Sequence, residues 1–352
     1  MLVSLFIISY NEVRHLPDVL SDIVAQDFPK ENIEVILVNS MSTDGTREIM
    51  QQFADNHSEF NRVVVCDNKK KTLPCGWNVA LEIAKGDVVM KWDSHARFDE
   101  SFITNSVNCI NSGEDVCGGV RPCICDGDSD WQNTLLIAEN SLFGSSFAPY
   151  RRSPGKSYVS SIFHGTYKRS VFGKVGGFDE RLTRTEDNDI HYRIRQAGYK
   201  ICFDESIKSK QIIRSSFKKM IRQKYLNGMW IGLTLGVQPK CLELYHFVPF
   251  AFVMAIIFTS ILAAVGFPLL SVLMWSAYSL VDLLMTLASI IQNKKFHITQ
   301  LLLAIIFPTL HIAYGIGTVV GLIKLPCWKA KNKECTEIDR IKNIISSEAT
   351  EL

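Results

Sequence analysis

A long uncharged stretch in the second half of the chain constrains the fold more than any other feature. Between residues 246 and 292 the only Asp, Glu, Lys or Arg is Asp282. A membrane-spanning helix needs about 20 apolar residues, so this stretch can form a hairpin of two such helices with its turn at 266–268. A second uncharged run covers 296–323. The alternative is a buried helical core, which rarely contains two uncharged runs of this length.

These runs predict three regions. Residues 1–244 are expected to form a soluble domain, 245–325 a membrane region of two to three apolar helices, and 326–352 a polar C-terminal tail. Basic residues precede and follow the membrane region, which favours a cytosolic location for both flanks. Three full crossings would contradict that arrangement, so a re-entrant or interfacial run is the alternative.

Composition excludes some classes of partner. The 352 residues include 38 Lys and Arg against 36 Asp and Glu, a net charge of +2. This balance gives no reason to expect nucleic acid as a partner. The apolar start at 2–8 is too short for a signal peptide, and the ten cysteines contain no CxxC pair. We therefore expect reduced cytosolic thiols rather than a disulfide framework.

The first ninety residues alternate between short apolar runs and helical patterns. The predicted strands are Leu2–Ile8, Glu34–Val38, Arg62–Cys66 and Asp87–Trp92, and the predicted helices are His15–Ala25, Asp44–Ala54 (with Asp44 as N-cap) and Cys75–Ala84. Nearly continuous Val, Ile and Leu strands separated by helices predict an α/β domain with a mostly parallel sheet covered on both faces. Ligands of such sheets bind at the carboxyl ends of the strands.

Three polar segments follow these strands: 9–12, 39–46 and 93–95. In this order and spacing they resemble the nucleotide-binding half of family 2 glycosyltransferases, which have the Rossmann-like GT-A fold. The resemblance implies a nucleotide-sugar site formed by Ser9, Tyr10, Asn11, Glu12, Asn39, Ser42, Asn78 and Asp93. It also implies a divalent cation, Mn²⁺ or Mg²⁺, held on the diphosphate by Asp93 and His95.

The chemistry of the implied cation site is reasonable, although the sequence departs from the family pattern. A nucleoside diphosphate leaving group accumulates negative charge, which a hard cation neutralises. His95 stands where the family usually has a second Asp; imidazole suits Mn²⁺ better than Mg²⁺. A surface or acceptor-contact role is the alternative for His95. Asn39 replaces the usual Asp that contacts the base, and Trp77 replaces a frequent Arg before Asn78.

The segment 164–199 resembles the acceptor-side half of the same family, and most closely its succinoglycan-biosynthesis branch. It contains a Gly-Gly-Phe-Asp turn and a Glu-Asp pair that opens a helix. The resemblance implies that Asp187 is the general base that deprotonates the acceptor hydroxyl, with Glu186 and Asp189 in support. Either neighbour could be the base instead, and all three could simply be acids favoured at a helix N-terminus.

The segment 222–230 resembles the family's Gln/Arg-x-x-Arg-Trp element, with Gly228-Met229 in place of the usual Arg. The resemblance implies that Gln223 and Trp230 belong to the nucleotide-sugar site, where a cation of this segment and the indole could close over the pyrophosphate and acceptor. A basic amphipathic helix on anionic lipid headgroups would show the same residues, so both interpretations stay open.

Together these features predict an inverting, metal-dependent glycosyltransferase of exopolysaccharide biosynthesis. It would move a sugar from a UDP-sugar to a polyprenyl-linked saccharide, with the catalytic domain on the cytoplasmic side of a multi-pass membrane protein in contact with membrane lipids. A processive polysaccharide synthase is the alternative, although three apolar runs look too few for a channel. A sugar nucleotidyltransferase would need a Gly-rich phosphate loop after the first strand, and a non-catalytic membrane scaffold would not need the site carboxylates.

Overall fold

The computed structural model describes residues 1–144, 155–293 and 295–348. The chain divides into two compact units. The first unit contains Met1–Pro122, Ala148–Gln211 and Asn332–Leu352, and the second contains Cys123–Phe147 and Ile212–Lys331.

The strands and helices of the described residues alternate in the first half of the chain, and helices dominate the second half. In chain order they are β1 (Val3–Ser9), α1 (Leu16–Val24), β2 (Ile33–Asn39), α2 (Thr46–Asn56), β3 (Arg62–Asp67), α3 (Leu73–Ile83), β4 (Val88–Asp93), β5 (Ala96–Phe98), α4 (Phe102–Asn111), β6 (Val116–Val120), β7 (Cys123–Ile124), α5 (Asp130–Asn140), β8 (Ser157–Tyr158), β9 (Thr166–Lys168), α6 (Arg169–Val175), α7 (Glu186–Gln196), β10 (Ile201–Ile212), α8 (Phe217–Thr234), α9 (Val248–Ala264), α10 (Leu269–Gln292), α11 (Leu303–Lys331) and α12 (Glu337–Glu348).

One mixed sheet organises the first unit, with strand order β3-β2-β1-β4-β9-β6-β10-β5. Strands β3, β2, β1 and β4 run parallel, and β9 lies antiparallel between β4 and β6. Every residue of β1 and β2 is buried, because Leu5 and Ile7 face one apolar cluster while Phe6 and Ile8 face another. The predicted α/β sheet with carboxyl-end loops at one edge is confirmed.

Helix α2 begins slightly later than its sequence predicts. Gly45 is the N-cap, with a left-handed φ of 93°, and the helix starts at Thr46. The Asp44 carboxylate still accepts hydrogen bonds from the backbone N–H and hydroxyl of Thr46, at 3.1 and 2.6 Å. The N-cap prediction for Asp44 is therefore wrong by one position, because only glycine adopts this backbone conformation readily.

The second unit holds the apolar helices. Among the described residues, three helical stretches are long and apolar enough to cross a membrane: Leu244–Ala264, Leu269–Gln292 and Ile298–Lys331. The prediction of such helices after the α/β domain is confirmed. Helix α8 belongs to this unit because Gly228 and Gly232 let it lie directly against the backbone of α11. Contacts therefore divide the chain at 211/212, whereas composition places the boundary at 244/245.

The last described helix belongs to the first unit. The sequence predicts a polar tail over 326–352, but residues 326–331 continue α11 and residues 337–348 form α12. Ile341 and Ile345 of α12 are buried in the apolar cluster beneath α3 and α6. Mean composition hides this pattern, because two apolar residues four positions apart are enough to bury one helical face.

Candidate active site

The loops after β1 and β2 are tied together by hydrogen bonds. The backbone N–H of Asn11 donates to Ser42 Oγ at 3.1 Å, and the Asn11 side-chain oxygen accepts from the Thr43 N–H at 2.9 Å. The N–H of Glu12 donates to Thr46 Oγ1 at 2.8 Å. Asn11 has a left-handed φ of 55°, which Asn tolerates better than most residues. The two segments predicted to hold the base and ribose thus form one structured edge.

Asn39 at the end of β2 faces Asp67 at the end of β3. The Asn39 amide donates to Asp67 Oδ1 at 2.8 Å, and its oxygen accepts from the Ser42 N–H at 2.9 Å. The Asn39 hydrogen bond and the Arg47 guanidinium hold the pKa of Asp67 below its usual value, against the opposing effect of burial. Asp67 therefore supplies a carboxylate at this edge, which sequence reasoning missed although it follows a predicted strand.

Ser9 ends β1 and Tyr10 follows it directly, and the two side chains differ in their exposure to solvent. Ser9 is buried, and its hydroxyl has no hydrogen-bond partner within the described part of the chain. Tyr10 is half exposed. A buried hydroxyl and an exposed ring at a strand end can serve hydrogen bonding and stacking respectively, so the predicted nucleotide roles of both residues fit their positions.

Asp93 lies at the end of β4, beside His164, whose role could not be predicted from the sequence. Asp93 Oδ2 is 3.6 Å from His164 Nε2, and His164 Nδ1 shares a hydrogen bond of 2.8 Å with Ser209 Oγ. Burial alone would raise the pKa of Asp93, but His164, His95 and Lys91 together hold it well below its usual value. Asp93 is therefore an anion at neutral pH, as a metal ligand must be.

His95 connects this strand end to the first loop. His95 Nδ1 lies 3.7 Å from Glu12 Oε1, and both side chains are about one-fifth exposed. No group of three or more His, Cys, Asp or Glu suitable for a metal occurs within the described residues. Asp93 and His95 would therefore supply only part of the coordination sphere of a cation. A carboxylate oxygen suits Mn²⁺, and an imidazole nitrogen is a common ligand of divalent transition metals, so both residues stay predicted ligands.

The three acids at the start of α7 have different surroundings. Asp189 is buried and paired with Arg193 at 2.8 Å, and Arg193 also donates to the carbonyls of Val175 and Gly177. Burial, followed by the adjacent Asp187 carboxylate, raises the pKa of Glu186 to about 8. Glu186 is thus mostly protonated at neutral pH, and Asp189 is held in a structural pair.

Asp187 differs from both neighbours. Its side chain is 23% exposed and forms an ion pair with Lys91 Nζ. Lys91 is buried in β4, two positions before Asp93 on the same strand face. The pair therefore brings the predicted base next to the strand that carries the predicted metal ligand. Sequence reasoning missed Lys91, although a single lysine inside the apolar strand was a visible signal.

Asn78 lies in the middle of α3. It is fully buried in α3, where its amide donates to the Phe178 carbonyl at 2.9 Å and to Glu180 Oε1 at 3.1 Å. Its oxygen accepts from the Phe178 N–H at 2.7 Å. These bonds fix the Gly-Gly-Phe-Asp turn that precedes α7, so the geometry gives Asn78 a structural role beside its predicted nucleotide contact.

Gln223 and Trp230 belong to the second unit, in α8. Trp230 packs edge-on against Trp328 with ring centroids 6.1 Å apart. Lys224, which follows Gln223 directly, forms a buried ion pair of 3.0 Å with Glu139 of α5. Within their own unit Lys224 and Trp230 stabilise helix packing, and the predicted donor contacts of Gln223 and Trp230 stay predictions.

Comparison with known proteins agrees with this architecture. Residues 4–176 match the family model Glycosyl transferase family 2. A dolichyl N-acetyl-alpha-D-glucosaminyl phosphate 3-beta-D-2,3-diacetamido-2,3-dideoxy-beta-D-glucuronosyltransferase of Methanococcus voltae is 24% identical over 332 residues, which cover 92% of this chain and 97% of that protein. The succinoglycan biosynthesis protein ExoA of Rhizobium meliloti (strain 1021) is 28% identical over 194 residues, 54% of this chain and 57% of the relative.

A solved structure supports the fold assignment. The mannosyltransferase PcManGT from Pyrobaculum calidifontis, in complex with GDP-Man and Mn²⁺, superposes with a TM-score of 0.61 at 18% identity. The match covers 91% of this chain and 86% of that one. The predicted family resemblance and the GT-A fold class are confirmed.

Proposed function

We propose that the chain, a glycosyltransferase whose residues 4–176 match the family 2 model, transfers one sugar, with inversion, from a UDP-sugar to a polyprenyl-linked saccharide. Glycosyl transfer by this chain serves polysaccharide or lipid-linked sugar biosynthesis. The observation that carries the finer proposal is the Lys91–Asp187 ion pair, which holds an ionised, partly exposed carboxylate beside the strand that ends in Asp93.

The proposed reaction is a direct displacement. Asp187 accepts the proton of the acceptor hydroxyl while the oxygen of that hydroxyl bonds to the anomeric carbon. At the same time the bond between the anomeric carbon and the diphosphate oxygen breaks, and the nucleoside diphosphate leaves. Attack opposite the leaving group inverts the anomeric configuration. Asp93 and His95 would hold a divalent cation, which when bound supplies positive charge to the departing diphosphate. The protonated Glu186 adds no further negative charge beside the base.

Two observations support the proposed acceptor and the proposed membrane location. The Methanococcus voltae relative is named for a dolichyl-linked acceptor, and its alignment covers 92% of this chain. Three helical stretches of this chain are long and apolar enough to cross a membrane. We infer that these helices hold the catalytic unit at the cytoplasmic face of the cell membrane, where nucleotide sugars and a lipid-linked acceptor can meet.

The test is a transfer assay with the full-length protein. Purified enzyme is incubated with Mn²⁺, a lipid extract and a panel that includes UDP-sugars and GDP-mannose, and products are weighed by mass spectrometry. We expect one added sugar residue on a lipid-linked acceptor, release of UDP and an inverted anomeric centre by NMR. A long polymer would identify a processive synthase, and release of pyrophosphate would identify a nucleotidyltransferase. Transfer from GDP-mannose alone would overturn the choice of donor.

A further inference from the structure

The chain that follows the last apolar helix folds back into the first unit. In α12, Ile341 and Ile345 retain only 1% and 3% of their exposure. They join the apolar cluster that contains Leu81 of α3 and Phe172 of α6. Burial of two isoleucine side chains in a core of this kind stabilises the attachment through the hydrophobic effect. The segment is therefore an integral part of the first unit.

Polar contacts along the segment confirm its attachment. The Gly177 N–H donates to the Ile338 carbonyl at 3.1 Å, and Arg181 Nη1 donates to the Lys333 carbonyl at 3.0 Å. Ion pairs add to these bonds: Lys70 with Glu337 at 2.7 Å, Arg169 with Glu348 at 2.6 Å, and Arg340 with Glu82. A side chain at Gly176 would collide with the Ile338 carbonyl. The absence of side chains at Gly176 and Gly177 therefore allows residues 338–341 to pack directly against this turn.

This attachment restricts the membrane topology. Residues 1–122 and 332–348 fold into one unit, so they must lie on the same side of any membrane, and the chain between them must cross an even number of times. Three candidate spans cannot all be full crossings. Building on the proposed membrane attachment, we propose that α9 and α10 are the two crossings. Helix α11, paired with α8, then lies at the membrane surface on the side of the first unit.

The packing of α8 against α11 excludes a fourth crossing. Close approaches pair the two helices in the same direction: Tyr225 with Gly317, Met229 with Gly321, and Gly232 with Thr318. The two helices therefore run parallel. A chain that left the first unit through α8 and returned through α11 would traverse the membrane in opposite directions. Two helices that pack in parallel cannot do so.

The short connections exclude α11 as an upright crossing. Met220, near the start of α8, shares a buried cluster with Phe307 and Leu310. About 30 Å of helix separates that level from Lys331. If α11 stood upright with Lys331 on the side of the first unit, α8 would begin at the opposite surface. The six steps from Gln211 to Phe217 reach at most about 20 Å, which is less than the ~30 Å hydrocarbon core. If α11 stood upright in the opposite orientation, Lys331 would lie at the far surface. Residues 332–336 would then have to cross the ~30 Å hydrocarbon core to reach α12, and they are too few.

Helices α9 and α10 suit a membrane-crossing hairpin. Their apolar stretches of 21 and 24 residues correspond to about 32 and 36 Å of helix. Only Val253 and Thr259 of α9 are buried within the protein. Most of the apolar surface of this helix is therefore available for contact with lipid. Gly266, with a left-handed φ of 96°, forms the tight turn between the two helices.

The α8–α11 pair has the chemistry of an interfacial element. Trp230 and Trp328 lie together near the C-terminal ends of the two helices, and indole rings prefer the headgroup level of a bilayer. The exposed cations on the pair are Lys218, Lys219, Arg222, Lys324, Lys329 and Lys331. Exposed lysine and arginine on a partly apolar helix attract anionic headgroups. The partner of this surface is therefore an anionic lipid leaflet.

The test maps each connection in sealed membrane vesicles of known orientation. A short epitope tag is placed in separate full-length proteins before Met1, within the 265–268 turn, between residues 292 and 296, or after residue 352. Accessibility to an impermeant protease is then measured, and transferase activity verifies that each tagged protein is folded. We expect the first, third and fourth tags on one side and the 265–268 tag on the other.

Each contrary outcome has a distinct meaning. The first and fourth tags on opposite sides would overturn the even number of crossings. A tag at 292–296 on the side opposite the first would overturn the assignment of α9 and α10. Release of the protein by alkaline carbonate would overturn membrane attachment itself, and with it the membrane part of the proposed function. Because release is measured before tag mapping, failure of that function is distinguishable from failure of this topology.

Discussion

Lys91 and Asp187, 96 positions apart in sequence, form an ion pair in which the cation is buried and the carboxylate is partly exposed. The Lys91 ammonium also lies 4.8 Å from the ring centroid of Trp77 and 4.9 Å from that of Phe178. Aromatic faces stabilise a desolvated cation, so the rings and the carboxylate together compensate for burial of the charge. The pair joins β4 to the first turn of α7 and fixes the position of Asp187.

Replacing Lys91 by methionine should therefore slow catalysis more than it weakens donor binding. Met keeps the length and apolar stem but removes the charge that holds Asp187. Misplacing a catalytic group by about 1 Å can cost ~10²-fold in rate, so we expect kcat to fall by about 10–100-fold with KM for the donor within threefold. Steady-state kinetics on the full-length enzyme provide the measurement.

Two further variants separate positioning from folding. Lys91→Arg keeps a cation and should retain more activity than Lys91→Met. The double variant with Asp187→Asn removes both charges and should unfold at a higher temperature than Lys91→Met alone, because no unpaired charge is left. If Lys91→Met lowers the melting temperature but leaves kcat unchanged, Lys91 has only a structural role.

Asp187→Asn tests the base directly. Asn keeps the size of Asp but cannot accept a proton, and general-base assistance is typically worth about 10²–10⁴-fold. Glu186→Gln should cost far less at neutral pH, since the raised pKa of Glu186 already keeps it mostly protonated. Single-turnover transfer with donor binding measured in parallel distinguishes the variants. If Glu186→Gln proves the more damaging change, the base is Glu186.

The strand ends are predictable from the amino-acid sequence because the apolar runs of a parallel sheet mark where each strand stops. The sequence alone therefore places Asp93 and Asn39 at one edge of the sheet. It does not reveal the roles of Lys91 and His164, because these depend on partners far away in the sequence. The antiparallel insertion of β9 between β4 and β6 has no local signal, yet it brings the segment of His164 beside β4.

The C-terminal helix shows a different limit. Ile338, Ile341 and Ile345 recur at helical spacing, so an amphipathic helix over 337–348 could have been predicted. Its partner could not, because polar residues surround the stripe and the long apolar region separates it from the soluble domain. Asn78 illustrates the same point, since its polar side chain satisfies a buried turn of the first unit.

Divalent cation dependence follows from the proposed ligands. Excess chelator should abolish transfer, and Mn²⁺ should restore it at least as well as Mg²⁺, because His95 contributes a nitrogen donor. Mn²⁺ binding in the presence of UDP can be followed by electron paramagnetic resonance, independently of turnover. Asp93→Asn and His95→Ala should each weaken that binding by at least the ~10-fold that loss of a residue supporting a metal ligand typically costs, because each removes a ligand itself. Full transfer in chelator would exclude the cation.

His191 predicts how stability depends on pH. Burial lowers its pKa from 6.5 to about 4, an effect that Asp187 opposes and that Lys91 and Arg195 reinforce. The folded state thus binds this proton less readily than the unfolded state, so stability is present above pH 6.5 and is lost as the pH falls towards 4. At ~1.36 kcal/mol per unit the full loss is roughly 3 kcal/mol.

The comparison variant for this effect is His191→Gln, which can still hydrogen-bond to Ser161 and Tyr167, the two partners of His191. Melting temperatures of both proteins are measured from about pH 7.5 to 4.5, a range that covers most of the expected loss. The difference between the two curves removes the contributions of other titrating groups such as Glu186. The parent should lose stability faster than His191→Gln as the pH falls. Parallel curves would show that His191 titrates normally.

The last prediction concerns α12 and the turn beneath it. Ile341→Ala removes a buried side chain and should cost about 2–5 kcal/mol, whereas the exposed Asn343→Ala should change stability by no more than ~0.5 kcal/mol. Because Gly177 contacts both Ile338 and Arg193 of α7, loosening α12 should also disturb the helix that carries Asp187. Thermal unfolding and single-turnover transfer are measured for both variants. We expect Ile341→Ala to lower the melting temperature and the rate together; equal stability of the two variants would show that α12 does not support the catalytic unit.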